Sequence, residues 1–220
     1  MKNVRIWYTK NGACRYISHL DVNRAMTRAL QMSGIPLWHT EGFNSRLYVS
    51  FALPLSLGFC GTYESVDIKL LKDDYSFDEV KTKLNECLPV GLCVFDVTVP
   101  IMKPADIAYA RFVIKLAAEE HSSEEILAAA NSLLGREQIL VEKKTKKGTV
   151  KQVDLKESIA DYSVEQSLDG VTLNITLPAG NSANINPTLL TDALEKECGF
   201  ELFLDITRNE LFDESFKLFR

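Results

Sequence analysis

The sequence predicts an α+β protein built from two tandem ferredoxin-like (split βαβ) domains with antiparallel sheets. Three observations carry that prediction. The chain has 220 residues, which suits two domains of roughly 100 residues each. Its first half reads β-α-β-β-α-β with an extra ribbon strand, the order of a split βαβ unit. After a short proline-bearing connection, Pro100 to Asp106, the second half repeats the theme. The expected divisions are 1–100, 107–208 and a C-terminal tail over 209–220.

The elements follow from local chemistry. Asn3 to Thr9 is β-branched and aromatic and stops at the turn pair Asn11-Gly12, so it reads as a strand. Ser18 is placed to cap a helix, with Asp21 three residues on in an acidic variant of the capping box. Val22, Ala25, Met26, Ala29 and Leu30 then recur at helical spacing, and Gly34 and Pro36 stop the helix. Strands are expected at Leu37–Thr40 and Leu47–Leu53, bracketing Glu41-Gly42-Phe43-Asn44, and again at Tyr63–Leu70. Ser76 with Glu79 opens a second helix to about Cys87, ended by Pro89 and Gly91, and Leu92–Val99 is the next strand.

In the second half, residues 108–116 alternate cleanly between apolar and polar. Ser122 and Glu125 form a capping box for a helix ending at Gly135. Ile139–Thr145 and Thr149–Leu155 read as a hairpin over Lys146-Lys147-Gly148. A second hairpin, Tyr162–Leu168 with Val171–Leu177, turns on Asp169-Gly170. Asn186-Pro187 opens a last helix that stops at Gly199, and Leu202–Thr207 closes the unit ahead of an acidic, aromatic tail.

Composition narrows the function. With 46% hydrophobic and 25% charged residues the chain is globular rather than disordered. No apolar run is long enough to span a membrane, and the N-terminus lacks the apolar core of a secretory signal, so a cytoplasmic protein without membrane association is expected. The five cysteines form no Cys-x-x-Cys pair and no zinc spacing, so neither a metal nor a cofactor is expected in this chain. Net charge is −5, but residues 1–60 hold seven Lys and Arg against two acids, which makes that segment +5 and the remainder −10. Such asymmetry fits either an anionic partner or an ordinary solvated surface.

The polar residues concentrate between Arg15 and Leu55. On the first helix, Asp21, Arg24 and Arg28 lie along one stripe away from the apolar face. That stripe is either a solvated face with one ion pair or a guanidinium site for phosphate or carboxylate. His19 sits in the first helical turn, where it serves as a structural hydrogen-bonder or as part of an anion site. His39 lies close to Glu41, and a His–Glu pair can transfer protons, although no nucleophile or third metal ligand accompanies it. His19, His39 and Glu41 are therefore the catalytic candidates. Gly42-Phe43-Asn44 followed by Arg46 makes a tight turn. Its aromatic neighbours Phe43, Trp38 and Tyr48 either join the arginines in a single-stranded RNA surface or belong to the core. The run Lys143-Lys144-Thr145-Lys146-Lys147 extends such a track or protects a strand edge.

Arg15-Tyr16-Ile17-Ser18-His19-Leu20-Asp21, Arg24, Arg28-Ala29-Leu30, Pro36, Glu41-Gly42-Phe43-Asn44, Ser50-Phe51-Ala52-Leu53-Pro54-Leu55, Gly58 and Glu64 together resemble the bacterial "radical SAM-linked" proteins. That family is a domain of unknown function, fused to or encoded beside B12-binding-type radical SAM proteins. The resemblance implies a radical SAM enzyme as partner and carries over Arg15, His19, Asp21, Arg24, Arg28, Glu41 and Asn44 as site residues, to which the reading of the turn adds Arg46. The family usually has Pro-His-Pro-Lys after Gly-Phe-Asn, where this chain has Ser45-Arg46-Leu47-Tyr48, so the turn histidine is missing. Three functions follow: an RNA-binding (tRNA-binding) or substrate-recognition accessory protein, a protein–protein scaffold for the enzyme, and a metal-independent RNA-processing endonuclease. The missing histidine ranks the last of these lowest.

Overall fold

A computed structural model describes residues 1–144, 150–167, 170–180 and 182–220. The Lys146-Lys147-Gly148 turn and Asp169 of the second turn lie outside the described residues, as do the side chains of the Lys143–Lys147 run. The architecture is α+β with antiparallel pairing within each of two compact units. Unit 1 comprises Met1–Asp106 together with Leu218–Arg220, and unit 2 comprises Ile107–Lys217.

Unit 1 contains β1 (Lys2–Lys10), α1 (His19–Met32), β2 (Val49–Phe51), β3 (Cys60–Leu70), α2 (Phe77–Cys87) and β4 (Leu92–Thr98). Its strands lie in the order β4-β1-β3-β2. Alternation along β1 sends Val4, Ile6 and Tyr8 into a core with Val22, Met26, Ala29 and Leu30 of α1, Val80 and Leu84 of α2, and Val66, Ile68 and Leu70 of β3. Arg5 and Trp7 point to the opposite face. The Ser18 hydroxyl caps α1 by accepting from the Asp21 N–H at 3.2 Å, and Ser76 caps α2 in the same way.

Unit 2 contains β5 (Tyr109–Ala117), α3 (Ser123–Leu134), β6 (Leu140–Lys144), β7 (Val150–Asp154), β8 (Asp161–Ser167), β9 (Gly170–Pro178), α4 (Thr188–Cys198) and β10 (Phe203–Phe212). The sheet order is β10-β5-β9-β8, and β6 pairs with β7 as a separate ribbon. Ser122 and Glu125 form the complete reciprocal capping box at α3.

Three expected strands differ from the sequence reading. The strands expected at Leu37–Thr40 and Leu47–Leu53 reduce to bridges Leu37↔Leu70 and His39↔Leu47 plus the three residues of β2. Residues 41–46 are all exposed, so no buried face holds a longer ladder together. The closing strand continues beyond Thr207 to Phe212. A bulge at Asn209, between the pairs Arg208↔Phe112 and Glu210↔Arg111, resets the alternation so that Leu211 is buried.

Candidate functional site

The residues singled out between Arg15 and Leu55 divide into three groups. The first surrounds the start of α1. The Ser18 hydroxyl donates to the Asp21 carboxylate at 2.7 Å, and Arg24 Nη1 reaches the same carboxylate at 3.1 Å. The Ser18 hydroxyl, and secondarily Arg24, hold the Asp21 carboxyl below its ordinary range. Arg24 and Arg28 are both exposed on the outer face of the helix. The spacing of Ser18, Asp21 and Arg24 brings these three into contact, while Arg28 lies one turn further along.

The second group is half-buried and fixes the chain. Arg15 Nε donates to the Gly58 carbonyl at 3.1 Å, while the Arg15 carbonyl accepts from the Gly58 N–H at 2.8 Å and from Lys10 Nζ at 3.3 Å. Lys10 is buried and also donates to the Phe59 carbonyl. His19 packs edge-on against Phe51, which in turn meets Tyr8 edge-on. Glu64, opposite Tyr8 in the β1–β3 register, is buried with its carboxylate against Gly61. A Cβ at position 61 would lie 2.6 Å from Glu64 Cγ and Oε1, so any other residue forces the buried Glu64 side chain aside. Arg15 and His19 thus join Lys10, Gly58 and Glu64 in the wall of the unit.

The third group is the hairpin over residues 38–48. Thr40 and Arg46 close it, with the Thr40 N–H donating to the Arg46 carbonyl at 2.7 Å and the Arg46 N–H donating to Thr40 Oγ1 at 3.0 Å. Gly42 has φ +123°, the left-handed conformation that a glycine accepts readily. His39, Glu41, Asn44 and Arg46 are all exposed, and Phe43 at the tip is fully exposed. Trp38 and Tyr48 pack edge-on at the base, with Lys69 Nζ 4.7 Å from the Trp38 ring.

Charge is less available than the sequence count implies. Of the seven cations in residues 1–60, Arg5 and Lys10 are buried. Arg5 lies in a bidentate pair with Asp67 at 2.7 and 2.8 Å. Sequence reasoning missed this buried pair, although an arginine inside the run Val4–Tyr8 is the signal for one. Arg24, Arg28 and Arg46 are the arginines of that segment that face solvent. Among the described residues, no cluster of three or more His, Cys, Asp or Glu can hold a metal ion, and no helix is long and apolar enough to cross a membrane.

The chain thus presents exposed arginines on α1 and a protruding aromatic turn on an α+β scaffold. By sequence, the chain belongs to the family described as "Uncharacterized protein conserved in bacteria (DUF2344)", whose model matches residues 3–187. No curated protein matches it. Among solved structures it is similar to a chain in the crystal structure of a Cbf5-Nop10-Gar1 complex, with TM-score 0.52, 10% identity, 96% of this chain covered and 50% of that one. A second similarity, to an X-ray structure of a heavy metal efflux pump, has TM-score 0.25 and 10% identity, over 94% of this chain and 28% of that one. The chain therefore spans about half the length of the first solved relative and less of the second.

Proposed function

We propose that this chain is an RNA-binding accessory module, with tRNA as the RNA class, that presents substrate to a radical SAM enzyme. The observation that carries the reading is the hairpin tip. Phe43 stands fully exposed between Gly42 and Asn44, three residues from the exposed Arg46. An apolar ring held in water at the end of a tight turn has its π-face available for an unstacked base, while Arg24, Arg28 and Arg46 meet phosphates. The strand orders β4-β1-β3-β2 and β10-β5-β9-β8 support two tandem ferredoxin-like domains over 1–100 and 107–208, a scaffold type that RNA-binding modules use. The likeness to a chain of the Cbf5-Nop10-Gar1 complex agrees with membership of a larger assembly. The radical SAM partner rests on the motif resemblance, and the acidic second unit supplies a separate surface for it.

The endonuclease reading is weaker because His39 and Glu41 stand exposed on the hairpin and the ring of His19 is packed on Phe51. The test is fluorescence anisotropy with bulk tRNA across a salt series. Arg24→Ala with Arg28→Ala should weaken binding and flatten the slope of log K against log salt by about one unit per lost phosphate contact. Phe43→Ala should weaken it with the slope unchanged. No binding by the wild type at low salt, or a double variant identical to wild type, refutes the reading.

A further inference from the structure

The face of unit 1 that points away from its helices holds a group of residues that the hairpin and the α1 stripe do not use. Trp7 on β1 and Tyr63 on β3 have ring centroids 4.5 Å apart at 35°, and Tyr63 continues to Phe95 on β4 at 6.0 Å. Arg5 and Ser65 sit on the same face, opposite Asp67 and Trp7 in the β1–β3 register. The matching strands of unit 2 carry Arg111, Lys115, Thr172 and Asn174 there, with Tyr109 stacked on Phe216 at one end. An aromatic row across the two central strands and an outer strand of an antiparallel sheet is the arrangement on which single-stranded bases stack.

Two polar groups on this face lack partners. Arg5 Nη1 and Ser65 Oγ have no hydrogen bond, although Arg5 has zero exposure and Ser65 only 3%. Buried groups of this kind are rare and call for a partner. The charge of Arg5 is already matched by the bidentate Asp67 carboxylate, so its spare N–H suits a neutral acceptor rather than a phosphate. The Ser65 hydroxyl can both donate and accept. A planar ring with carbonyl and N–H edges satisfies both groups while stacking on the aromatic row.

A ring already occupies part of this place. Phe219 lies with its centroid 4.2 Å from the Arg5 guanidinium carbon and 6.0 Å from Trp7, edge-on, and is fully buried. The carbonyl of Arg220 accepts from the Ile101 and Met102 N–H groups at 3.2 and 2.6 Å, which fastens the segment. We infer that Leu218–Arg220 is an intramolecular strap whose Phe219 ring stands in for a nucleobase, and that single-stranded RNA displaces it to stack on Trp7, Tyr63 and Phe95. This rests on the RNA-binding reading and adds a second, gated site to it. Phe219 offers no hydrogen bond to Arg5 Nη1 or Ser65 Oγ, whereas a base fills both, and each stacked base contributes about 1–3 kcal/mol.

The test uses the full chain with Trp38→Phe, so that Trp7 is the remaining tryptophan, and a short oligouridylate as probe. In this background Phe219→Ala should bind the probe about fivefold tighter or more, with Trp7 emission quenched on binding. Adding Tyr63→Leu should abolish the gain. Should Phe219→Ala lose its fold by circular dichroism, Phe219→Leu keeps the apolar volume, removes the ring, and is read in the same way. Unchanged affinity and emission overturn the strap, as does a gain that survives Tyr63→Leu. If Arg24→Ala with Arg28→Ala still weakens wild-type binding in those cases, the RNA reading stands without the strap. Absence of RNA binding by every form overturns both.

Discussion

Removing the carboxylate of Asp67 tests the electrostatics of unit 1 most directly. Arg5 is 0% exposed, and its charge is met by Asp67 through two hydrogen bonds at 2.7 and 2.8 Å, with the Met102 carbonyl at 2.9 Å as a further acceptor. Asp67→Ala leaves a buried guanidinium without its counter-ion, a change that costs about 3–5 kcal/mol in buried pairs. The net expectation is a loss of about 3–5 kcal/mol, which lowers the thermal midpoint of a chain this size by about 6–20 °C. Arg5→Met should cost less, because it fills the space with an apolar chain and leaves behind Asp67, which at 13% side-chain exposure water still reaches. The assay is urea and thermal unfolding of both variants, monitored by tryptophan fluorescence. Two results refute the reasoning: Asp67→Ala within about 1 kcal/mol of wild type, or Arg5→Met more damaging than Asp67→Ala.

Two further outcomes follow from local geometry. The Asp21 carboxyl is held low in the folded chain by the Ser18 hydroxyl, so its contribution is present above the unfolded carboxylate range and disappears as pH falls through the lowered folded value. Ser18→Ala should raise the Asp21 titration midpoint toward the ordinary carboxylate value, read by NMR, and an unmoved midpoint contradicts the assignment. Gly170 has φ +140°, and a Cβ there would lie 2.1 Å from the Leu116 carbonyl oxygen, a backbone atom held in the β5–β9 ladder. Gly170→Ala should therefore cost about 2 kcal/mol or more in urea unfolding, and a neutral result would mean that this edge of the ladder is not fixed.

Helix starts were legible because caps are local. Ser18, Ser76 and Ser122 each hold a backbone N–H three residues on, as their spacing predicts. The end of β10 was not legible, because the polar run Arg208-Asn209-Glu210 interrupts alternation and only the bulge opposite β5 restores it. The hairpin failed as two full strands for a related reason. Its polarity marks exposure, and pattern alone does not separate an exposed ribbon from a half-buried strand. Charge counting failed where a cation goes inside. Lys10 and Arg5 count toward the basic segment in sequence, yet both are spent within the fold on carbonyls and Asp67.

That distinction also divides the Ser-His-Leu-Asp region by role. Arg15 holds Gly58 through both its guanidinium and its carbonyl, and His19 covers Phe51, so these two side chains fix the chain around them. Replacing them should change stability. Arg24, Arg28, Arg46 and Phe43 stand in water, where replacing a side chain rarely moves stability by more than about 0.5 kcal/mol. α1 starts where the Ser18 cap fixes it, and the exposed Arg24 and Arg28 take their direction from that start.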